Sequence, residues 1–272
     1  RKNNQGDITR LPMRPLILGG DDLTCIVRAD YALGFIKAFT EAFEQQTQTF
    51  LAGLVELQDV LPEKLTCTTG MIFIKSNQPF SLAYKLAEEL CSKAKKVGQK
   101  ISAQQNSDKP MPPSLIYFLH TTNTLFDELD VQLKQELKTT DNQFLSCCPY
   151  AFKPQQQRPE LAQLFNLYQQ FDAEDERKLN PSAIRNYAGY LHQDPDYAKT
   201  FWNRWKKQND DKKAITYQAW SRFEEAWQAM VYSETEKNIT THYLPVADLV
   251  TLDALEIKSP THHNHDNKEA QA

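Results

Sequence analysis

The stretch PLILGGDDLTCIV, residues 15–27, sets a short apolar run against a return run across Gly19-Gly20-Asp21-Asp22. In the return run Leu23, Cys25 and Val27 alternate with Thr24, Ile26 and Arg28, the period of a half-buried strand. Glycine supplies the positive φ that a tight turn needs, so the stretch predicts a β-hairpin. Its turn carries two adjacent carboxylates.

Working outward, the period changes after Tyr31. Leu33, Ile36, Phe39, Phe43 and Phe50 have the spacing of an amphipathic helix. Residues 66–75 (TCTTGMIFIK) are β-rich. Asn77 and Pro79 open a second helix whose expected inner face is Phe80, Tyr84, Ala87 and Leu90. Residues 99–113 read as a polar linker, and Ser114 to Leu119 as a further apolar strand. Beyond Pro149 the pattern turns helical: Leu161, Leu164, Phe165, Tyr168 and Phe171 have helical spacing. Asn180-Pro181 and Asp194-Pro195 each place a capping side chain before a proline at the first helical position. Trp202, Trp205, Trp220, Phe223 and Trp227 are expected to form a helical core. The order of elements argues for an α+β domain followed by a helical one. The expected divisions are an irregular lead-in over 1–13, an α+β domain over 14–150, a helical domain over 151–258 and a disordered polar tail over 259–272.

Composition narrows the function. The chain has 272 residues, 40% of them hydrophobic and 24% charged, as in an ordinary globular protein. A net charge of −4 disfavours a general nucleic-acid coat protein, although a local basic face remains open. The longest apolar runs are too short to span a bilayer, and no signal segment opens the sequence. Five cysteines without CxxC spacing give neither a disulfide framework nor a zinc site, so a reducing cytoplasm is the expected compartment. Walker A and GxGxxG loops are absent, as are Ser-His-Asp, Cys-His and His-Asp groupings. His262, His263 and His265 fall in the polar tail. His120, His192 and His242 are isolated, and Cys25, Cys67 and Cys91 read as small core residues.

Carboxylates on a rigid turn suit nucleotidyl transfer, because they can hold Mg²⁺ (or Mn²⁺) against an attacking hydroxyl and a triphosphate. A solvent-exposed turn uses the same residue types, so a bare GGDD leaves both readings open. The ordered set of motifs is more specific. The hairpin and its following helix, the segment LTCTTGMIFIK and the helix QPFSLAYKLAEELCSKAKK together resemble one family. It is the palm-domain large subunit of type III CRISPR effector complexes, the cyclic-oligoadenylate synthase subunit, and its stand-alone relatives. The likeness covers residues 14–150 well. It is looser over LNPSAIRNYAGYL and LPVADLVTLDAL, which look like parts of that family's C-terminal region.

The resemblance implies a ferredoxin-like palm of the polymerase and nucleotide-cyclase type. It makes Asp21 and Asp22 the catalytic metal ligands and places Gly19 and Gly20 under the triphosphate. Thr68 takes the position of a family serine near the base or sugar, and Lys95 meets the phosphates. Thr68-Thr69-Gly70 would form a second hairpin, and Cys148-Pro149-Tyr150 an Arg-Pro-Tyr-like turn. The palm's central first strand, with its further metal-binding carboxylate, has no counterpart in the 13 residues before the GGDD strand, where Asp7 is a poor substitute. The chain is therefore expected to be a C-terminal fragment with sheet edges left unpaired.

The leading functional expectation is a nucleotidyltransferase that joins ATP into a cyclic or linear oligonucleotide in antiviral defence. Its partners would be ATP, CRISPR ribonucleoprotein subunits and RNA, with a homodimer favoured if cyclisation needs two nucleotide sites. The alternative is a catalytically silent palm acting as a structural or RNA-binding subunit. A GGDEF-type diguanylate cyclase ranks third, because Asp22-Leu23 stands where that class has Glu-Phe.

Overall fold

The structure is a computed structural model that describes residues 12–57, 59–106, 109–121, 125, 127–155, 158–236 and 238–257. The lead-in residues 1–11, with Asp7, and the tail with its three histidines lie outside the described residues. Strands β1 (Met13–Gly19) and β2 (Asp22–Val27) form the expected antiparallel hairpin, with Gly19 opposite Asp22. Helix α1 (Ala29–Ala52) follows, then β3 (Thr68–Phe73), helix α2 (Phe80–Ala103) and β4 (Leu115–His120). Helix α3 (Leu129–Leu137) leads to the short strands β5 (Gln143–Phe144) and β6 (Tyr150–Ala151). The rest is α4 (Leu161–Tyr168), α5 (Pro181–Gln193), α6 (Pro195–Asn209), α7 (Tyr217–Met230), β7 (Tyr232–Glu236), β8 (Ile239–Tyr243) and α8 (Val246–Ala254). The class is α+β.

Three small sheets result: β1–β2, β3–β4–β6 and β5–β8–β7. Strands β3 and β4 run parallel with α2 as their crossover, and β4 is buried along nearly its whole length. The hairpin does not join that sheet. Its ladder is internal, and Leu18 on it is 81% exposed. The strand expected to lie between the hairpin and β3 is thus missing among the described residues, and the edges it would pair are open.

Residues 66–75 do not make a hairpin. They contribute the single strand β3, and Gly70 serves packing rather than a turn. A Cβ on Gly70 would sit 2.0 Å from the carbonyl oxygen of Ala87 and 2.5 Å from the Cys91 nitrogen, so only glycine lets α2 lie this close to β3. The buried face of α2 is Ala83, Leu86, Leu90, Ala94, Gly98 and Ile101, so of the four expected inner residues only Leu90 is fully buried. Phe80 is exposed, and so is Phe50 at the end of α1. Helix α2 also extends into the expected linker as far as Ala103, with Gly98 and Ile101 buried on its inner face.

The helical part matches its sequence closely. The Asn180 side chain accepts from the Ser182 N–H at 2.8 Å, and Asp194 accepts from Asp196 and Tyr197. Trp220 and Phe223 are wholly buried, with Trp205 and Trp227 packed beside them. The stretch also contains the β7–β8 hairpin, which pairs back onto β5 through β8.

Two buried carboxylates pin these pieces together. Glu44 on α1 accepts from the Ser114 hydroxyl at 2.7 Å, from Lys153 Nζ at 2.7 Å and from Lys64 Nζ. Asp248 on α8 accepts from Tyr150 Oη at 2.5 Å, Ser146 Oγ at 2.7 Å and the Cys147 N–H at 2.8 Å. Tyr150 follows the cis Cys148–Pro149 bond, so the expected Cys-Pro-Tyr turn is the point where α8 is tied to the β4–β6 sheet.

Candidate active site

The loop of the first hairpin is Gly20-Asp21. Gly20 has φ +60° and Asp21 does not have positive φ, the pattern of a type II′ turn in which the first loop residue must be glycine. A Cβ on Gly19 or Gly20 would meet nothing within 4 Å, so the space over the turn is open to a ligand. Asp21 and Asp22 are both exposed there. Among the described residues no group of three His, Cys, Asp or Glu side chains is arranged to hold a metal ion. A pair of carboxylates remains a fitting partial set for Mg²⁺, which binds through one or two protein carboxylates and takes its other oxygens from water and phosphates.

The hairpin faces one stripe of α2. Tyr84 hydrogen-bonds Glu88 on its own helix and Thr24 on β2, and its phenol is raised above its ordinary value by Glu88 first, then by partial desolvation and by the Asp22 carboxylate. Cys91, one turn on, donates its thiol to the Thr68 carbonyl at 3.3 Å. Burial raises that thiol, the Lys95 ammonium pulls it down, and Asp22 and Glu88 push it up. Asp22, Glu88 and Lys95 therefore each act electrostatically on the Cys91 thiol.

Gly19, Gly20, Asp21 and Asp22 share the turn, and Lys95 is exposed on α2. Thr68 reaches this group through its backbone carbonyl on Cys91. Tyr84, Glu88 and Cys91 were not anticipated: Tyr84 was expected on the inner face of α2 and Cys91 in the core. The spacing of 84, 88, 91 and 95 is itself a helical stripe, and that was the available signal. Cys25, Cys67 and Cys91 are half-buried rather than core residues, whereas Cys147 and Cys148 are buried. The described histidines are structural in character. His120 lies edge-on to Phe73 with its basicity lowered by burial, and a ring nitrogen of His242 meets Ser233 Oγ.

An acidic pair on a glycine hairpin, followed by helix, strand and a second helix, is the order of elements that the resemblance to a palm implies. Residues 8–103 are similar to the family model described as Cas10/Cmr2, second palm domain. No curated protein matches the chain. Among the described residues no helix is long and apolar enough to cross a membrane.

Proposed function

We propose that the chain carries the nucleotidyltransferase site of a type III CRISPR-associated palm, joining ATP into a cyclic or linear oligoadenylate. The observation that carries this reading is the intact Asp21–Asp22 pair on an open glycine turn. Asp21 and Asp22 would hold Mg²⁺, whose chemistry is to acidify the attacking hydroxyl and to neutralise the triphosphate. In the reaction the 3′-oxygen of one nucleotide bonds to the α-phosphorus of the next, and the bond to pyrophosphate breaks. The hydroxyl proton passes to solvent. Lys95 binds the triphosphate charge, and the turn glycines leave room for it. Thr68 lies at the start of β3 and carries a hydroxyl that would serve the sugar or base. Glu88 orients Tyr84 against Thr24, which fixes the hairpin over α2.

The test incubates the protein with each nucleoside triphosphate and Mg²⁺ and analyses products by mass spectrometry. An oligonucleotide that disappears in Asp21→Ala/Asp22→Ala supports the reading and names the base. Failure to bind any nucleotide overturns it. A second reading is favoured by the lack of a third carboxylate beside the pair among the described residues. In that reading the palm is catalytically silent and serves as a structural subunit of the ribonucleoprotein. Nucleotide binding without product, unchanged in the double variant, would support it.

A further inference from the structure

The connection from α1 to β3 turns five large apolar side chains toward solvent: Phe50, Val55, Leu57, Val60 and Leu65. Phe50, Val55 and Val60 are 68%, 72% and 78% exposed. A comparable set on the first hairpin belongs to the open edges already described, whereas this one includes none of the candidate site residues.

The exposure does not come from a loose loop. The backbone is wound in consecutive turns, with Leu54 N–H on the Leu51 carbonyl, Leu57 on Leu54, and both Val60 and Leu61 on Leu57. The far end is tied down at three points. Leu65 N–H donates to Thr47 Oγ1 at 3.1 Å, Lys109 Nζ donates to the Leu61 carbonyl at 3.2 Å, and Lys64 Nζ meets the buried Glu44. Apolar groups held in water by bonded backbone, beside charged neighbours, are the mark of a protein interaction surface.

Charge says what covers it. Glu56, Asp59 and Glu63 are exposed among the apolar groups, and the sequence has no lysine or arginine between Lys37 and Lys64. The two cations that reach the segment, Lys64 and Lys109, are held by Glu44 and by the Leu61 carbonyl. Helix α1 also ends here with no basic residue in its last turn, so the negative pole of a 24-residue helix is unmatched on the helix itself. Such a surface repels the phosphates of a nucleic acid and of an anionic lipid surface, and attracts cations.

We propose that residues 50–65 dock an amphipathic helix of a partner protein, one whose apolar face is flanked by lysine and arginine. Its apolar anchors pack on Phe50, Val55 and Val60. Its cations meet Glu56, Asp59, Glu63 and the C-terminal end of α1. The surface is separate from the GGDD hairpin and does not depend on catalysis there.

The test measures binding of the full chain to a fluorescent amphipathic peptide of leucine and lysine, about 14 residues long, by anisotropy over a salt series. The same peptide with glutamate for every lysine, and vesicles of phosphatidylcholine and phosphatidylglycerol, run beside it. Val55→Ser/Val60→Ser changes two exposed side chains, and circular dichroism checks that the fold is kept. Affinity for the lysine peptide should fall about tenfold in this variant. Glu56→Gln/Asp59→Asn/Glu63→Gln should weaken binding at low salt and flatten its salt dependence. The glutamate peptide should bind at least about tenfold more weakly to the parent. Unchanged affinity in either variant, or equal binding of the two peptides, would overturn the proposal. So would vesicle binding that the serine variant abolishes, which would make the surface a lipid site. Self-association abolished by the same variant, read by sedimentation equilibrium, would make it a contact between copies and overturn it as well. The Asp21→Ala/Asp22→Ala protein should bind the peptide like the parent; a loss there would place the peptide on the hairpin instead.

Discussion

Glu44 and Asp248 are both 3% exposed, and each ties together segments far apart in sequence, yet their surroundings drive them in opposite directions. For Glu44 burial raises the pKa, but hydrogen bonds from Lys153, Lys64 and Ser114 outweigh it, and the carboxyl ends below its usual range. Asp248 is met only by neutral donors. Burial dominates over Tyr150, Cys147 and Ser146, and the carboxyl is pushed up to about 6. Three hydrogen bonds from neutral groups therefore do not replace two ammonium ions at a buried carboxylate. The pin inside the palm is ionic, while the pin between α8 and the palm is close to neutral in mildly acidic solution.

The largest effect should come from Asp248→Ala. It strands the Tyr150 and Ser146 hydroxyls and the Cys147 N–H in a buried place, at a cost of about 3–5 kcal/mol in denaturant titration. The charge contrast has its own signature in pH. Asp248 has its folded pKa above the unfolded value of 3.8, so between the two the folded state binds more protons. Stability should fall as pH rises from about 4 to about 6, by on the order of 3 kcal/mol, and level off above that. Asp248→Asn should flatten this dependence while costing less than alanine at neutral pH. A slope that survives in the asparagine variant would place the titration elsewhere.

Glu44 should behave in the opposite sense. Its contribution is present above about 4.5 and is lost as pH falls through its depressed folded value. Glu44→Gln should cost about 1–2 kcal/mol at neutral pH, discounted because Lys153 is more than half exposed, and added salt should shrink the loss. The smallest effect belongs to the hairpin. Tyr84→Phe removes a hydrogen bond at an exposed site and should leave the melting temperature within about 1–2 °C. The same change should lower nucleotide turnover if the hairpin must be held over α2; equal turnover would separate the two.

What could be read from the sequence follows the range of the interactions. The GGDD hairpin, both Asn/Asp-Pro caps and the tryptophan core are set by neighbours within a few residues, and each is legible as a local pattern. The family resemblance implies a hairpin at Gly70, whereas its use here depends on a helix whose Ala87 carbonyl would lie 2.0 Å from an added Cβ. The β7–β8 hairpin carries no glycine signal, because its turn rests on Asn238 at φ +66°. Asp248 gives no local sign at all: its partners are about a hundred residues away. In the candidate site the acidic turn is legible from its glycines, whereas Lys95 enters only through the family resemblance. Tyr84, Glu88 and Cys91 required the helix phase that Gly70 fixes.

The β1–β2 hairpin keeps its ladder to itself, and a lone two-stranded ribbon is marginal in water. The segment that bears the acidic pair is thus expected to open more readily than the buried β4 layer. A nucleotide spanning Asp22 and Lys95 would bind only the closed form, and by mass action would hold the ribbon on α2. Amide hydrogen exchange in β2 would then slow with each increment of nucleotide while that in β4 stayed constant, so that occupancy of the site is recorded in the backbone of one strand.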